Sequence, residues 1–216
     1  TLAEKARSRP IRAYHVPVNI AYEPTRDTAG EWTTDLPGSA VAMGFSYYLE
    51  QALDVPVAAI VNCWGSSSIE GWMPIELTGE LPHFKSMMAA FKASEYTHKR
   101  IRHAMDMGIR HGMVFVRKQP NLLYNAMLHP VIPYACRGIV WYQGEANADK
   151  PEEYARSLPA WIRQLRREWG REDLHLLAVM LPGYGEDDGH PESKSWAPFR
   201  EAQLQVRELT HTSVVN

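Results

Sequence analysis

Three strand-length runs, residues 55–62, 138–142 and 174–181, are apolar almost throughout. A strand with one wet face alternates apolar and polar side chains, whereas these runs fit strands of a parallel sheet covered on both faces. Segments of helical period separate them. Ser39 can cap Ala40–Leu53, in which Val41, Phe45, Tyr48, Leu49 and Leu53 recur three or four residues apart on one face. In Glu152–Trp169 the stripe is Tyr154, Leu158, Trp161, Ile162 and Leu165, with Pro151 at a first turn that tolerates proline and Gly170 to end the helix. Trp196–Leu209 reads as another helix, and Ile11–Val16 and Ser213–Val215 as short strands. This alternation predicts an α/β fold, a three-layer α/β/α sandwich around a parallel sheet. The stretch from about Leu81 to Arg117 reads as a helical insertion, and Pro130 and Pro133 keep any helix in Leu122–Tyr134 short.

At 216 residues, with 45% hydrophobic and 22% charged content, one domain with a sizeable core is expected. The balance of 23 basic against 25 acidic residues gives a net charge of −2 and does not favour a nucleic-acid partner. The basic run Arg163, Arg166, Arg167 and Arg171 is expected to be the solvated face of its helix, with Glu168 and Glu172 for pairing. No stretch approaches the roughly 20 apolar residues of a bilayer span, and Thr1–Arg9 is charged without an apolar signal core. Cys63 and Cys136 form no CxxC pair, so neither a zinc cage nor a disulfide scaffold is indicated, and a single bridge between them stays open. His83, His98, His103 and His111 lack metal-ligand spacing, so no metal and no cofactor are expected.

Polar groups gather where two apolar runs end. After Gly138–Tyr142 come Gln143, Gly144, Glu145, Ala146 and Asn147, in which amide, carboxylate and amide alternate beyond a glycine that permits a tight bend. The run ending at Asn62 exits through Cys63, Trp64, Gly65, Ser66, Ser67 and Ser68. Strand exits of this kind are where α/β enzymes place their chemistry.

On these residues the chain resembles the sialate O-acetylesterase and acetylxylan esterase-like branch of the SGNH hydrolases. The resemblance rests on Trp64-Gly65-Ser66-Ser67-Ser68-Ile69-Glu70-Gly71-Trp72, on Leu123-Tyr124-Asn125-Ala126-Met127 with Pro130, on Trp141-Tyr142-Gln143-Gly144-Glu145-Ala146-Asn147, and on Trp196 with Arg200-Glu201-Ala202-Gln203. It implies an SGNH-type α/β/α fold and hydrolysis of acetyl esters on sugars such as sialic acid or plant glycans, by a serine mechanism. The substrate partner is then a small molecule or glycan, and relatives of this branch are commonly exported, which implies a periplasmic or secreted protein. The family's Gly-Gln-Ser-Asn-Met block, which carries the nucleophile, does not precede Ile11, and its Asp-x-x-His block does not follow the final strand. Residues 1–216 are therefore expected to be one SGNH-like domain lacking its N-terminal and C-terminal catalytic segments. The alternative is a catalytically dead carbohydrate-binding or structural remnant of that family.

The resemblance also assigns expected roles. Gly65, Gln143 and Glu145 are the expected catalytic residues, with Gly65 and Gln143 stabilising an oxyanion and Glu145 supporting the base. Ser66, Asn125 and Asn147 are the expected substrate-binding positions. Plainer readings stand beside these: Gly65 turns the chain, Glu145 holds the turn by accepting N–H bonds, Asn147 is a turn residue, and Asn125 caps a short helix. Ser66 stands where the family has a second glycine and narrows the space there. Ser66, Ser67 and Ser68 form no Gly-x-Ser-x-Gly elbow. Trp64 and Trp72 suit a sugar-facing wall or core packing, and packing is favoured. Asp187-Asp188-Gly189-His190 spells Asp-x-x-His but precedes the Trp196 helix, so His190 is expected to be solvated.

Overall fold

The apolar runs do become strands. In the computed structural model, which describes residues 1–183 and 196–216, the strands are β1 (Ile11–His15), β2 (Trp32–Thr33), β3 (Val57–Val61), β4 (Gly138–Trp141), β5 (His175–Val179) and β6 (Thr212–Val215). They form two three-stranded sheets, β2-β1-β3 and β4-β5-β6. β1 lies parallel to β3 with Ala13 opposite Ala59. β4 lies parallel to β5 with Ile139 opposite Leu176, and β5 parallel to β6 with Leu177 opposite Ser213. Among the described residues only the two-residue β2 runs antiparallel, against β1. The α/β architecture with parallel pairing is as the sequence predicts, but the sheet is in two parts: no ladder joins β3 to β4 among the described residues.

Helices α1 (Leu2–Arg7), α2 (Ala40–Leu53), α3 (Pro82–Ala93), α4 (Glu95–Asp106), α5 (Val114–Arg117), α6 (Pro151–Trp169) and α7 (Trp196–Leu204) surround the strands. The stripe of α6 is buried as its period requires: Tyr154, Leu158, Trp161, Ile162 and Leu165 all lie in the core. Trp161 packs on Trp141 of β4 at a 4.2 Å ring separation and donates its indole N–H to the Trp72 carbonyl at 2.8 Å. Gly170 ends the helix in the left-handed region (φ 62°), its N–H returned to the Arg166 and Arg167 carbonyls. The insertion is helical, as expected, and buries Phe84, Met88, Phe91 and Ile101 through α3 and α4. α1 is an element with no apolar stripe; a capping box between Thr1 and Glu4 starts it.

Two expectations need correcting. The apolar face of α2 is not in the core, since its buried residues are Ser46 and Glu50. Glu50 takes a two-pronged bond from Arg9 at 2.6 and 2.7 Å, which pins that side of the helix. Phe45 and Tyr48 are 39% and 64% exposed. With Val41 and Leu49 they line an open apolar cavity of about 530 Å³, facing Val140, Leu177, Val179 and Val215 of the second sheet. Periodicity shows that a helix has an apolar face, not what covers it. Replacing Phe45 or Tyr48 by serine is therefore expected to change stability by less than about 1 kcal/mol. Trp161→Ala should cost about 3–5 kcal/mol, and urea denaturation of the three variants checks the contrast.

The second correction concerns the basic run. Arg166 is buried, with Nε donating to the Leu174 carbonyl at 3.0 Å and Nη2 to the His211 carbonyl at 2.8 Å. Its guanidinium thus ties α6 to the segments entering β5 and β6. Arg163 pairs with Glu80, Arg167 bonds Gln164 and Arg171 pairs with Asp173. Glu168 bonds Gln164 rather than an arginine, and burial pushes its carboxyl pKa up. Cys63 and Cys136 are free thiols.

Candidate active site

Strands β3 and β4 each run out into a loop, and a buried polar network stitches these two loops together. The first loop follows Val61. Trp64 is buried and donates its indole N–H to the His111 carbonyl at 3.1 Å. Arg117 donates to the same carbonyl at 3.0 Å, so a guanidinium and an imidazole flank the turn. Gly65 and Ser66 then come to the surface. Ser66 sits at φ +59°, in the left-handed region that favours glycine. Beyond it the chain dives inward. Ser67 Oγ accepts the Trp72 indole N–H at 2.8 Å, and residues 69–72 form a buried single turn.

The second loop follows Trp141. Gly144 brings its backbone against α7, where a Cβ would stand 2.4 Å from Phe199 and 3.1 Å from Leu181. This close approach aims Gln143 and Asn147 at the first loop. Gln143 donates from Nε2 to the Ser67 carbonyl at 2.9 Å and to Asn147 Oδ1 at 3.0 Å. Asn147 Oδ1 also accepts the Ile69 N–H at 2.9 Å, and its Nδ2 donates to both Glu70 carboxylate oxygens at 3.1 and 3.0 Å. Tyr154 stands behind, its hydroxyl 3.1 Å from both the carbonyl and the Oε1 of Gln143, and receives the Trp141 indole N–H. Burial pushes the Tyr154 pKa up, so the phenol remains a donor. Gln203 of α7 donates to the Gln143 carbonyl at 3.2 Å.

A third segment, Leu122–Val131, supports the first loop from the other side. Asn121, at φ 68°, donates its N–H to the Glu70 carbonyl at 2.9 Å and its Nδ2 to the Met73 carbonyl at 2.8 Å, while its Oδ1 accepts from Asn125 Nδ2 at 3.0 Å. Asn125 Nδ2 lies within 3.1 Å of the Ala21, Tyr22 and Asn121 oxygens.

The structure thus brings Gly65, Ser66, Gln143 and Asn147 to one junction, with changed duties. Both Gln143 amide hydrogens are committed to protein acceptors, so this side chain braces the two loops rather than presenting a free donor. Asn147 and Asn125 are 3% and 1% exposed, and their side chains bond to protein groups of the neighbouring loops. Asn125 bonds across loops and sits inside a short π-helical turn, Tyr124–Leu128, rather than capping it. Trp64 and Trp72 are core. Ser66 and Glu145 are exposed, and the Glu145 carboxylate has no hydrogen-bond or ion-pair partner among the described residues. The N–H groups of Gly65 and Ser66 likewise have no protein acceptor among the described residues. His190 lies outside the described residues. Glu70, Asn121 and Gln203 have no site role that the sequence pointed to, and Tyr154 has only its place in the apolar stripe. The only signal for Glu70 was its place in a turn otherwise made of small and apolar residues.

Serine–histidine contacts occur elsewhere. Ser157 Oγ lies 3.0 Å from His83 Nε2 but is fully buried on α6. His175 and Ser213, 3.0 Å apart, lie where β5 and β6 begin, at the end of the sheet opposite these loops. Neither pair can serve Gly65 and Ser66.

The fold is similar to the crystal structure of a carbohydrate acetylesterase from Xanthomonas citri, with a TM-score of 0.70 at 28% identity, over 99% of this chain and 43% of that one. Residues 112–216 match the family described as carbohydrate esterase, sialic acid-specific acetylesterase. The chain is 28% identical to the sialate O-acetylesterase of Rattus norvegicus over 200 residues, 77% of this chain and 34% of that one. It is also 28% identical to the sialate O-acetylesterase of Homo sapiens over 166 residues, 71% of this chain and 28% of that one. The chain thus spans about a third of the length of these relatives, and it is similar to the sialate O-acetylesterase branch that its motifs pointed to.

Proposed function

We propose that this chain is the greater part of a carbohydrate O-acetylesterase domain, which transfers the acetyl group of a sugar ester to an enzyme serine and then to water. The observation that carries this is the exposed Gly65–Ser66 turn at a strand exit, with two adjacent N–H groups free of protein acceptors and a buried network fixing the backbone behind them. Acyl transfer needs donors held rigidly where negative charge develops on the former carbonyl oxygen, and their removal typically costs about 2.7–4 kcal/mol of barrier each. In this reading the donors are the Gly65 and Ser66 amides, Gln143 holds them in place, and Glu145 orients the histidine that takes the serine proton. Serine and histidine come from protein outside the described residues. The substrates are O-acetylated sialic acids or acetylated plant glycans, and export to the periplasm or medium goes with them.

Acetate release from O-acetylated sialic acid and acetylated xylo-oligosaccharides, together with fluorophosphonate labelling of an activated serine, tests this in the full-length protein. Turnover and labelling are expected. Folded protein that binds the sugars, releases no acetate and takes no label is a binding remnant, and contradicts the proposal.

A further inference from the structure

Behind the 69–72 turn, side chains from three separate elements converge: Glu70 from the turn, His83 from the first turn of α3 and Glu153 from the first turn of α6. One ligating atom from each lies within 4.8 Å of the other two. Their positions match no short metal motif because packing, not chain spacing, assembles them.

The donor set of this cluster suits a cation. Glu70 is 2% exposed. The side-chain hydrogen bonds to its carboxylate among the described residues come from the neutral Asn147 Nδ2 alone, and no Arg or Lys lies within ion-pair distance of it. A second carboxylate, Glu153, stands against it, with only the half-exposed Lys150 at 3.9 Å as counter-charge. Glu70 faces the cluster from the buried side while the Glu153 side chain is 40% exposed, so an ion held between them has protein on one side and solvent on the other. The groups behind the cluster are those that hold ligands in place. Asn147 spans both Glu70 oxygens, and Ser157 Oγ lies 3.0 Å from His83 Nε2. One imidazole and two carboxylates suit zinc or a similar divalent transition ion, and three protein ligands leave a position for water.

We propose that Glu70, His83 and Glu153 bind a divalent transition-metal ion that fastens the 69–72 turn to α3 and α6. The ion has a structural part: it anchors the far end of the loop whose near end is the Gly65–Ser66 turn. This assignment stands apart from the esterase reading, because metal uptake is measured without substrate.

The test is titration of chelator-treated protein with ZnCl2 by calorimetry and with CoCl2 by visible absorption, alongside thermal unfolding with and without metal. Expected are one equivalent bound, d–d bands of protein-ligated cobalt, and a Tm that rises with metal concentration. His83→Ala and Glu153→Gln should each weaken uptake by more than the roughly 10–100-fold that a change behind the ligands costs, and should remove the metal-dependent rise in Tm. If His83→Ala fails to fold, Glu153→Gln decides. Native folded protein that takes up no saturable metal, or uptake undiminished in Glu153→Gln, overturns the proposal.

Discussion

Asn147→Ala is expected to destabilise the fold by about 3 kcal/mol, a hydrogen bond to a charged group being worth about 1.5–3 kcal/mol. Its Nδ2 is the neutral donor on both oxygens of the buried Glu70 carboxylate, and its Oδ1 accepts from the Ile69 N–H and from Gln143. Alanine leaves a backbone donor, an amide hydrogen and a carboxylate without these partners, each unmet group costing about 1–3 kcal/mol and more for the charge. The penalties overlap, because Gln143 keeps its bond to the Ser67 carbonyl. A urea-unfolding cycle with Glu70→Gln separates the pair. Coupling of about 0.5–3 kcal/mol between the two positions is expected, and a single-variant loss below about 1 kcal/mol would show that the network does not hold the loops.

Gly144→Ala should cost about 3 kcal/mol, at the upper end for overpacking a tight site. A Cβ there would stand 2.4 Å from Phe199 Cε1, 2.7 Å from Cζ and 3.1 Å from Leu181 Cδ1. Phe199 is fully buried and packs on Tyr154 at 4.5 Å, so the ring cannot swing aside without disturbing the residue that braces Gln143. The loss is expected in thermal unfolding and, because the Gln143–Ser67 bond is displaced with it, in hydrogen exchange at Ile69 and Gly71. An alanine variant that unfolds at the native temperature would mean that α7 does not press on the second loop.

Much of this architecture was legible because it is local. The strands at 57–61, 138–141 and 175–179 declare themselves through unbroken apolar runs, and α6 through a stripe whose period matches its burial. The two strand exits were legible as well, since Gln143, Glu145 and Asn147 have no packing reason to cluster at a strand end. What could not be read was direction and partnership. The stripe of α2 is as regular as that of α6, yet Phe45 and Tyr48 look onto an open cavity. A sequence shows that Gln143 and Asn147 carry amides but not that Ser67, Ile69 and Glu70 stand opposite them, and this turned an expected donor and an expected ligand into braces. Tyr154 was legible as an apolar stripe residue, while the use of its hydroxyl depends on a loop that meets it only in three dimensions.

In the proposed reaction the Gly65 and Ser66 amides hold the oxyanion of the acyl group, and Gly65→Ala is the sharpest probe of that. A Cβ at Gly65 meets no protein atom within 4 Å, and Gly65 is not among the residues with positive φ, so the fold should accept alanine at no cost. The methyl group would instead occupy the space in which a substrate carbonyl must lie, and a displacement of about 1 Å there costs roughly 100-fold in rate. Measured side by side in the full-length protein, Tm should be unchanged while kcat/KM for acetate release from O-acetylated sialic acid falls by about 100-fold. Equal kcat/KM for the two proteins would contradict the assignment of this turn as the site of reaction.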